Sequence, residues 1–560
     1  MGGEVQTGTT SIFAGLDMPV EKYLIKFGIP VISFGVILSV VLLLALPDVF
    51  SGSAGMICYF LPLFCVMFVL VYPKMQLDAK RIQIEQNMHF FITHVGVLAT
   101  SDMPLIAVLG LIGQKKQYMA LATEIEKIFN LINSWHMSTP DACRFVAKRT
   151  PSKIFADFLD RFAHALESGE DPETFLMIEQ DVVMREFEIL FRGSLTRIAN
   201  LQEMYMSLVM SLLFMGSLGI IMPLITGGSP VGIVGMTVFL FLFMEVMMLF
   251  MMKSKAPKDT LWHTLDKTDD EKKMMALYPM MFVLCAITGI ISVALFSDRL
   301  QPQMILAVTI APLAFPGVVF GRQEKNIKRG DDNYPSFIRS LGASASSRGG
   351  IVEYALKELR LHDFGALTQA IRNLYTRLST GIDKMKSWNH FSLETGSNLI
   401  QRCNEMFIES VDVGGKPDLI GNIISDNFIH IISLRKLRYD AGAGITGTLY
   451  GLTGGVSATL YLSLAVVEKM KETLSEVDLP EGAIGGLLTG DFNVLAVNIL
   501  LITILIGHAI ISSFLIRVID GGSPYTAPIH IVGMYWTGAL TSVFTVKGMG
   551  DMIGGGSGMI

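Results

Sequence analysis

One acid stands inside an apolar run: Glu245, two turns from Lys253 in the Met-rich stretch Val231–Met252. An ionised carboxylate at membrane depth is costly and points by default to function, either a proton pathway or a buried ion pair. No second acid lies in another apolar run to continue a relay, so a structural partner, or a side chain snorkelling to the interface, is the expected role. His508 and His530 fall in two later runs without metal-ligand spacing and read as packing or interface residues. Gly548-Met549-Gly550-Asp551 spells the Gly-x-Gly-Asp string of intramembrane aspartyl proteases. That chemistry needs two carboxylates sharing a proton, and no run supplies the second. The five cysteines form neither a Cys-x-x-Cys pair nor a Cys/His metal pattern, and a reduced, structural role is expected of them. A Gly-x-x-x-x-Gly-Lys-Ser/Thr loop is absent, so ATP phosphates cannot be cradled in the usual way. The expectation is a non-enzyme with no catalytic, cofactor-binding or metal-binding residues.

The elements around these residues are membrane-length apolar runs: Phe27–Leu46, Ala54–Tyr72, Met204–Thr226, Val231–Met252, Met274–Phe296, Gln303–Phe320, Ala443–Val467, Val494–Ile516 and Ala527–Val546. Each is near the ~20 residues that cross a bilayer as a helix, the form in which backbone groups pair within the segment. With 51% hydrophobic residues and a mean hydropathy of +0.50, the chain reads as an all-α polytopic membrane protein with nine spans. Of the 44 Lys and Arg, all but Arg299, Lys469, Lys471 and Lys547 fall in segments that share one side if residue 1 is cytoplasmic. Basic residues are retained inside, which sets the N-terminus inside and the C-terminus outside. The net charge of −6 implies no nucleic-acid partner.

The layout is then a cytoplasmic N-terminus (1–26), spans one and two (27–72), a first inner domain (73–203), spans three and four (204–252), a linker (253–273), spans five and six (274–320), a second inner domain (321–442), spans seven to nine (443–546) and an outer Gly-rich tail (547–560). Helical spacing, as in Ile154, Phe155, Phe158, Leu159, Phe162 and Leu166, makes each inner domain a bundle of five or six short helices. Breakers at Ser138-Thr139-Pro140, Thr150-Pro151 and Ser379-Thr380-Gly381 cut them. The two halves repeat: Leu166–Glu173 aligns with Val411–Asp418 at an offset of 245, and Phe162 falls on Phe407, so a tandem duplication with a ninth helix is expected. In span seven, Gly447, Gly451 and Gly455 recur every four residues, flanked by Ala443 and Thr459. Such stripes let helix backbones approach closely, and this one is expected to be the tightest seam, within the chain or between two copies.

The order of apolar pair, helical domain with an acidic-Gly-x-x-Pro turn and apolar pair, all repeated, resembles the polytopic platform proteins of the archaellum, the FlaJ/ArlJ family. These belong to the wider class of type II secretion F-domain proteins of pili, secretion systems and archaella. The Asp520-Gly521-Gly522 turn and the nine-span count favour the archaeal form. The resemblance implies a non-enzymatic platform beneath a filament, a hexameric cytosolic ATPase docked on the inner domains, and archaellin filament subunits and other motor components as partners; the oligomeric state is open, with a homodimer beneath the six-fold ATPase as the expectation carried. Docking by charge would use Arg144, Lys148, Arg149 and Lys153 in the first domain and Arg372, Arg377, Lys384 and Lys386 in the second, with Arg435, Lys436 and Arg438 before span seven. The same clusters also fit plain solvated faces. The juxtamembrane bases Lys80, Arg81, Arg322, Lys325, Lys328 and Arg329 read first as anchors to anionic membrane lipid. A secondary transporter is the competing class, but it calls for paired polar residues at the bilayer midplane and small loops. Another archaeal pilus platform would share every feature.

Overall fold

The computed structural model describes residues 20–45, 55–101, 103–226, 230–296, 299–476 and 494–554. The turns at 47–53 and 227–229, Asp102 and the end of the Gly-rich tail lie outside them. Helices make up the architecture: α1 Ile29–Ala45, α2 Gly55–Ala99, α3 Leu105–Gly113, α4 Ala120–Asn133, α5 Thr139–Ala147, α6 Lys153–Glu167, α7 Pro172–Thr226, α8 Pro230–Lys255 and α9 Asp269–Phe296. They continue as α10 Pro302–Ile310, α11 Ala314–Ser346, α12 Val352–Leu359, α13 Thr368–Ser379, α14 Lys384–Thr395, α15 Asn398–Asp412, α16 Pro417–Glu476, α17 Val494–Asp520 and α18 Ala527–Gly554.

Among the described residues, seven segments are long and apolar enough to cross a membrane: α7, α8, α9, the α10–α11 stretch, α16, α17 and α18. The first two of the nine runs lie on α1 and α2, which are not among the seven; α1 has 17 residues and stops at Ala45. Asp551 is carried on α18, whose last residues belong to the same continuous helix.

The chain folds as two compact units, one of residues 1–189 with 406–424 and one of 190–405 with 425–560. This cuts across the sequence division at 321–442, because residues 406–424 pack with the first polar segment. Within that first unit, Glu409 of α15 pairs with Lys115, and its carboxylate lies 3.2 Å from His94 Nε2 on α2. Burial raises the Glu409 carboxyl, but the His94 and Lys115 contacts outweigh it and hold its pKa below the ordinary value. A chain of aromatic contacts, Phe91 to Phe158 to Phe162 to Phe175, fills the space between α2, α6 and α7. Cys143 is buried in this unit, and burial pushes its thiol up to about 12, which keeps it protonated and inert.

The 245-residue offset reappears as hydrogen bonds. Ser152 caps α6 by accepting from Phe155 N at 3.3 Å, and Ser397 caps α15 by accepting from Ile400 N at 3.3 Å. At the other ends, Gly169 (φ +74°) donates to Leu166 O while Glu170 donates to Ala165 O, and Gly414 (φ +89°) donates to Val411 O while Gly415 donates to Ser410 O. Both are Schellman turns with glycine in the left-handed region, where a Cβ is strained. Pro172 and Pro417 then open α7 and α16, each a first-turn proline whose missing N–H is no loss.

The second unit holds the membrane core. Tyr205, Val209 and Leu213 of α7, Phe241 and Met248 of α8, Val456 and Leu460 of α16, Ile504 and Leu515 of α17 and Tyr535 of α18 are buried together. Phe214, Phe239, Phe243, Phe250, Ile290 and Phe544 point outward, as lipid-facing residues must. Helices α7 and α16 meet: Gln202 Nε2 donates to Thr448 Oγ1 at 3.4 Å and Ser217 Oγ lies 2.6 Å from Ser463 Oγ, each pair 246 residues apart. Helix α8 packs on α17.

If the two turns are equivalent, Gly169→Ala and Gly414→Ala each lower stability by about 1 kcal/mol for the left-handed φ. Gly447→Ala, whose added Cβ meets nothing within 4 Å, leaves it unchanged. Thermal unfolding of the purified full chain in detergent reads all three.

Candidate functional site

Two sets of charged residues in the second unit are built rather than scattered. The first lies in the membrane core. Glu245 of α8 is 1% exposed, so it does not snorkel. One of its carboxylate oxygens, Oε1, accepts from Tyr205 OH at 3.0 Å and is paired with His508 Nδ1 of α17. His508 Nε2 lies 3.1 Å from Thr453 Oγ1 on α16, and Ser512 Oγ lies 3.4 Å from both Tyr205 OH and His508 Nδ1. Four helices thus contribute to one polar cluster. Between α8 and α17, Gly507 leaves room for the Leu242 side chain, which an added Cβ would displace. Removing charges from water is offset only by good mutual geometry, and this cluster leaves just the second oxygen, Oε2, without a hydrogen bond.

The second set sits where spans meet polar segments. Arg435 of α16 donates through Nε (2.6 Å) and Nη2 (2.8 Å) to Asp259 in the linker after α8, and through Nη1 (2.9 Å) to Asp331 of α11. Arg438, one turn on, donates to the carbonyls of Val518 (2.9 Å) and Ile519 (2.8 Å), the last carbonyls of α17, as a basic C-terminal cap does. Gly521 follows with φ +77°, and a Cβ on it would lie 2.6 Å from Arg438 Cζ. The Asp520-Gly521-Gly522 turn is therefore glycine-rich for two physical reasons, its left-handed backbone and the arginine packed against it. Arg517 lies 3.4 Å from both Glu324 and Asp520, and Glu324 also accepts from the Ser523 N–H.

Asp331, beyond the apolar run Gln303–Phe320, is almost fully buried and is further held by the Ser397 hydroxyl. Burial pushes its carboxyl up to about 6, against the opposing pull of Arg435 and Ser397. In the first unit Glu85, 246 residues earlier, likewise faces Ser152, and burial raises its pKa as well. The acid-to-serine-cap contact is thus built twice.

Residues 91–223 match the family described as "Type II secretion system (T2SS), protein F". "Flagella accessory protein J" of Methanocaldococcus jannaschii is 34% identical over 546 residues, 95% of this chain and 96% of that protein. The chain belongs to the flagella accessory protein J family. The protein of the same description from Methanococcus voltae is 32% identical over 540 residues, 94% of this chain and 95% of that one. No solved structure matches. This flagella accessory protein J family member is an all-α, multi-pass membrane protein.

The sequence-derived docking residues separate into three groups in this family member. Lys148, Arg149, Lys153, Arg372, Lys386 and Lys436 are exposed, Lys436 in an ion pair with Asp332 at 2.9 Å and Arg149 stacked 3.6 Å from the Phe145 ring centroid. Arg144 and Arg377 are half-buried in ion pairs with Glu167 and Glu394, and Lys384 is half-buried. Arg435 and Arg438 are buried, which corrects their expected place on a docking face: their guanidinium groups bind Asp259, Asp331 and backbone carbonyls inside the chain. The Gly447, Gly451 and Gly455 stripe is also corrected as a seam within the chain, because all three are exposed with nothing within 4 Å of an added Cβ. A close backbone approach is instead at Gly317 of α11, where an added Cβ would lie 2.8 Å from Ile529 N of α18. Sequence reasoning named His508 but not its pairing, and it passed over Tyr205, Asp259, Asp331 and Glu324. The one local signal was Ser512, a turn after His508 on the same helix face.

Because the folded Asp331 binds a proton more readily than the unfolded chain does, its contribution to stability falls as pH rises from about 4 through about 6. Asp331→Asn removes that slope. Its melting temperature in detergent, taken relative to the parent, is expected to rise from pH 4.5 to pH 7; a constant difference across that range would refute the assignment.

Proposed function

We propose that the chain is the membrane platform of an archaellum-type filament motor, receiving a hexameric cytosolic ATPase and passing its movement to filament subunits. In this reading the N-terminus and the segments 73–203 and 321–442 are cytoplasmic, the C-terminus is outside, the two halves are a tandem duplication, and the chain works without enzymatic activity of its own. Support comes from the family relationship to proteins called flagella accessory protein J and from the lopsided placement of Lys and Arg.

The observation that carries the mechanism is the pair α7 and α16. They have 55 and 60 residues, roughly 80 and 90 Å at 1.5 Å per residue. Each begins at one copy of the repeated turn, is polar in its first half and apolar in its second. A displacement applied at the polar end is therefore carried into the membrane along one helix rather than across a loop. Work must come from a partner, since the chain has no phosphate-cradling loop. Charge complementarity would orient that partner, and the exposed bases Lys148, Arg149, Lys153, Arg372 and Lys386 are the docking residues this reading retains. Glu245 serves as a structural tie between α8 and α17. A secondary transporter would instead offer a polar path, whereas the Glu245 cluster is closed by Tyr205, Thr453, His508 and Ser512.

A pull-down of the detergent-solubilised full chain against the motor ATPase tests this. The parent is expected to retain the ATPase, and the chain with those five bases changed to Glu to lose at least ~10-fold in affinity. Failure of the parent chain to retain it would overturn the docking reading, and a substrate flux assay would then address transport.

A further inference from the structure

A cavity of about 610 Å³ opens in the second unit, between the linker that follows α8, the start of α9, Phe320 of α11 and the Arg517–Tyr525 segment after span eight. Each of these pieces lies within a few residues of the end of an apolar run or in the short polar linker between two runs. The cavity therefore sits at one surface of the bilayer, at headgroup depth. Its volume is within the roughly 300–1,000 Å³ of small-ligand sites.

The lining is two-sided. Leu261, Trp262, Met275, Phe320, Pro524 and Tyr525 form an apolar chamber, and Lys253, Lys258 and Lys267 stand at it with positive charge. The acids of the wall are already engaged, Asp259 by Arg435 and Glu271 by His263. Lys253 and Lys258 are exposed and have no acidic partner among the described residues, while Lys267 donates to Met275 Sδ at 3.2 Å and lies 5.9 Å from the Tyr525 ring centroid. Two buried nitrogens of the lining, His263 Nδ1 and Arg517 Nε, lack an acceptor. Uncompensated cations and unused donors beside a largely apolar chamber, at the membrane surface, match one chemistry: a phosphate with a hydrocarbon tail.

We propose that this cavity binds an anionic phospholipid of the adjoining leaflet, its phosphate on Lys253 and Lys258 and the start of a chain against Trp262 and Phe320. Basic pockets between spans on this side of a bilayer select anionic headgroups. The proposal rests on the cytoplasmic placement of these segments in the reading above and is independent of ATPase docking.

Native mass spectrometry of the delipidated full chain in neutral detergent tests it, with phosphatidylglycerol and phosphatidylcholine of identical chains as probes and glycerol phosphate as the headgroup alone. Lys253→Gln/Lys258→Gln is compared with Lys272→Gln/Lys273→Gln, which removes two charges from the exposed first turn of α9, outside the cavity lining. One tightly bound phosphatidylglycerol is expected, weakened at least ~10-fold by the cavity variant and unaffected by the control variant. Equal weakening by both variants would reduce the site to general surface charge and overturn the proposal. Equal binding of phosphatidylcholine would do the same, and displacement of the lipid by glycerol phosphate would reassign the cavity to soluble phosphates.

Discussion

A charge taken out of water costs several kcal/mol unless it finds a partner of good geometry, and a membrane leaves little room for exceptions. The second unit is organised around that constraint. Its only acid within an apolar run, Glu245, is bound by Tyr205 and His508, with Thr453 and Ser512 completing the surround. Since these residues come from α7, α8, α16 and α17, satisfying one carboxylate also sets how these four helices meet. At the bilayer surface the same constraint acts on Arg435, Arg438 and Arg517, which join α16 and α17 to the linker and to α11 through Asp259, Asp331, Glu324 and the last carbonyls of α17.

Close packing follows from these polar anchors, because lipid is as apolar as the side chains and gives no strong hydrophobic drive between spans. Gly507 admits Leu242 beside the Glu245 pair, and Gly521 admits Arg438 at the end of α17. The exposed stripe Gly447, Gly451 and Gly455 has the opposite character: small residues with no neighbour in this chain within reach of an added Cβ. The spacing of the stripe therefore does not make a seam among the described residues of this chain.

Much of this was legible in the residues. Apolar length marked seven membrane-length helices found among the described residues, because a bilayer imposes one length on every helix that crosses it. The repeated Gly-x-x-Pro turn was legible because a left-handed residue and a first-turn proline each leave a strong local mark; the structure adds the serine caps Ser152 and Ser397 at the same offset. What escaped was direction. Arg435 and Arg438 look like other basic residues until Asp259, 176 residues away from Arg435, is seen to meet them. Glu245 looks unpartnered as long as only a second acid counts as a partner, whereas the group that meets it is a histidine 263 residues later. Long-range polar pairing leaves no periodic trace, so composition and spacing are silent on it.

The central claim is that Glu245 and His508 hold α8 to α17 as a pair. A double-mutant cycle with Glu245→Met and His508→Leu, followed by unfolding of the full chain in mixed micelles, tests it most directly. The account predicts that each single change strands a buried polar group and lowers stability by about 3 kcal/mol, while the double variant recovers at least ~2 kcal/mol of the summed loss. Losses that simply add would contradict it and leave the two residues as independent occupants of the core.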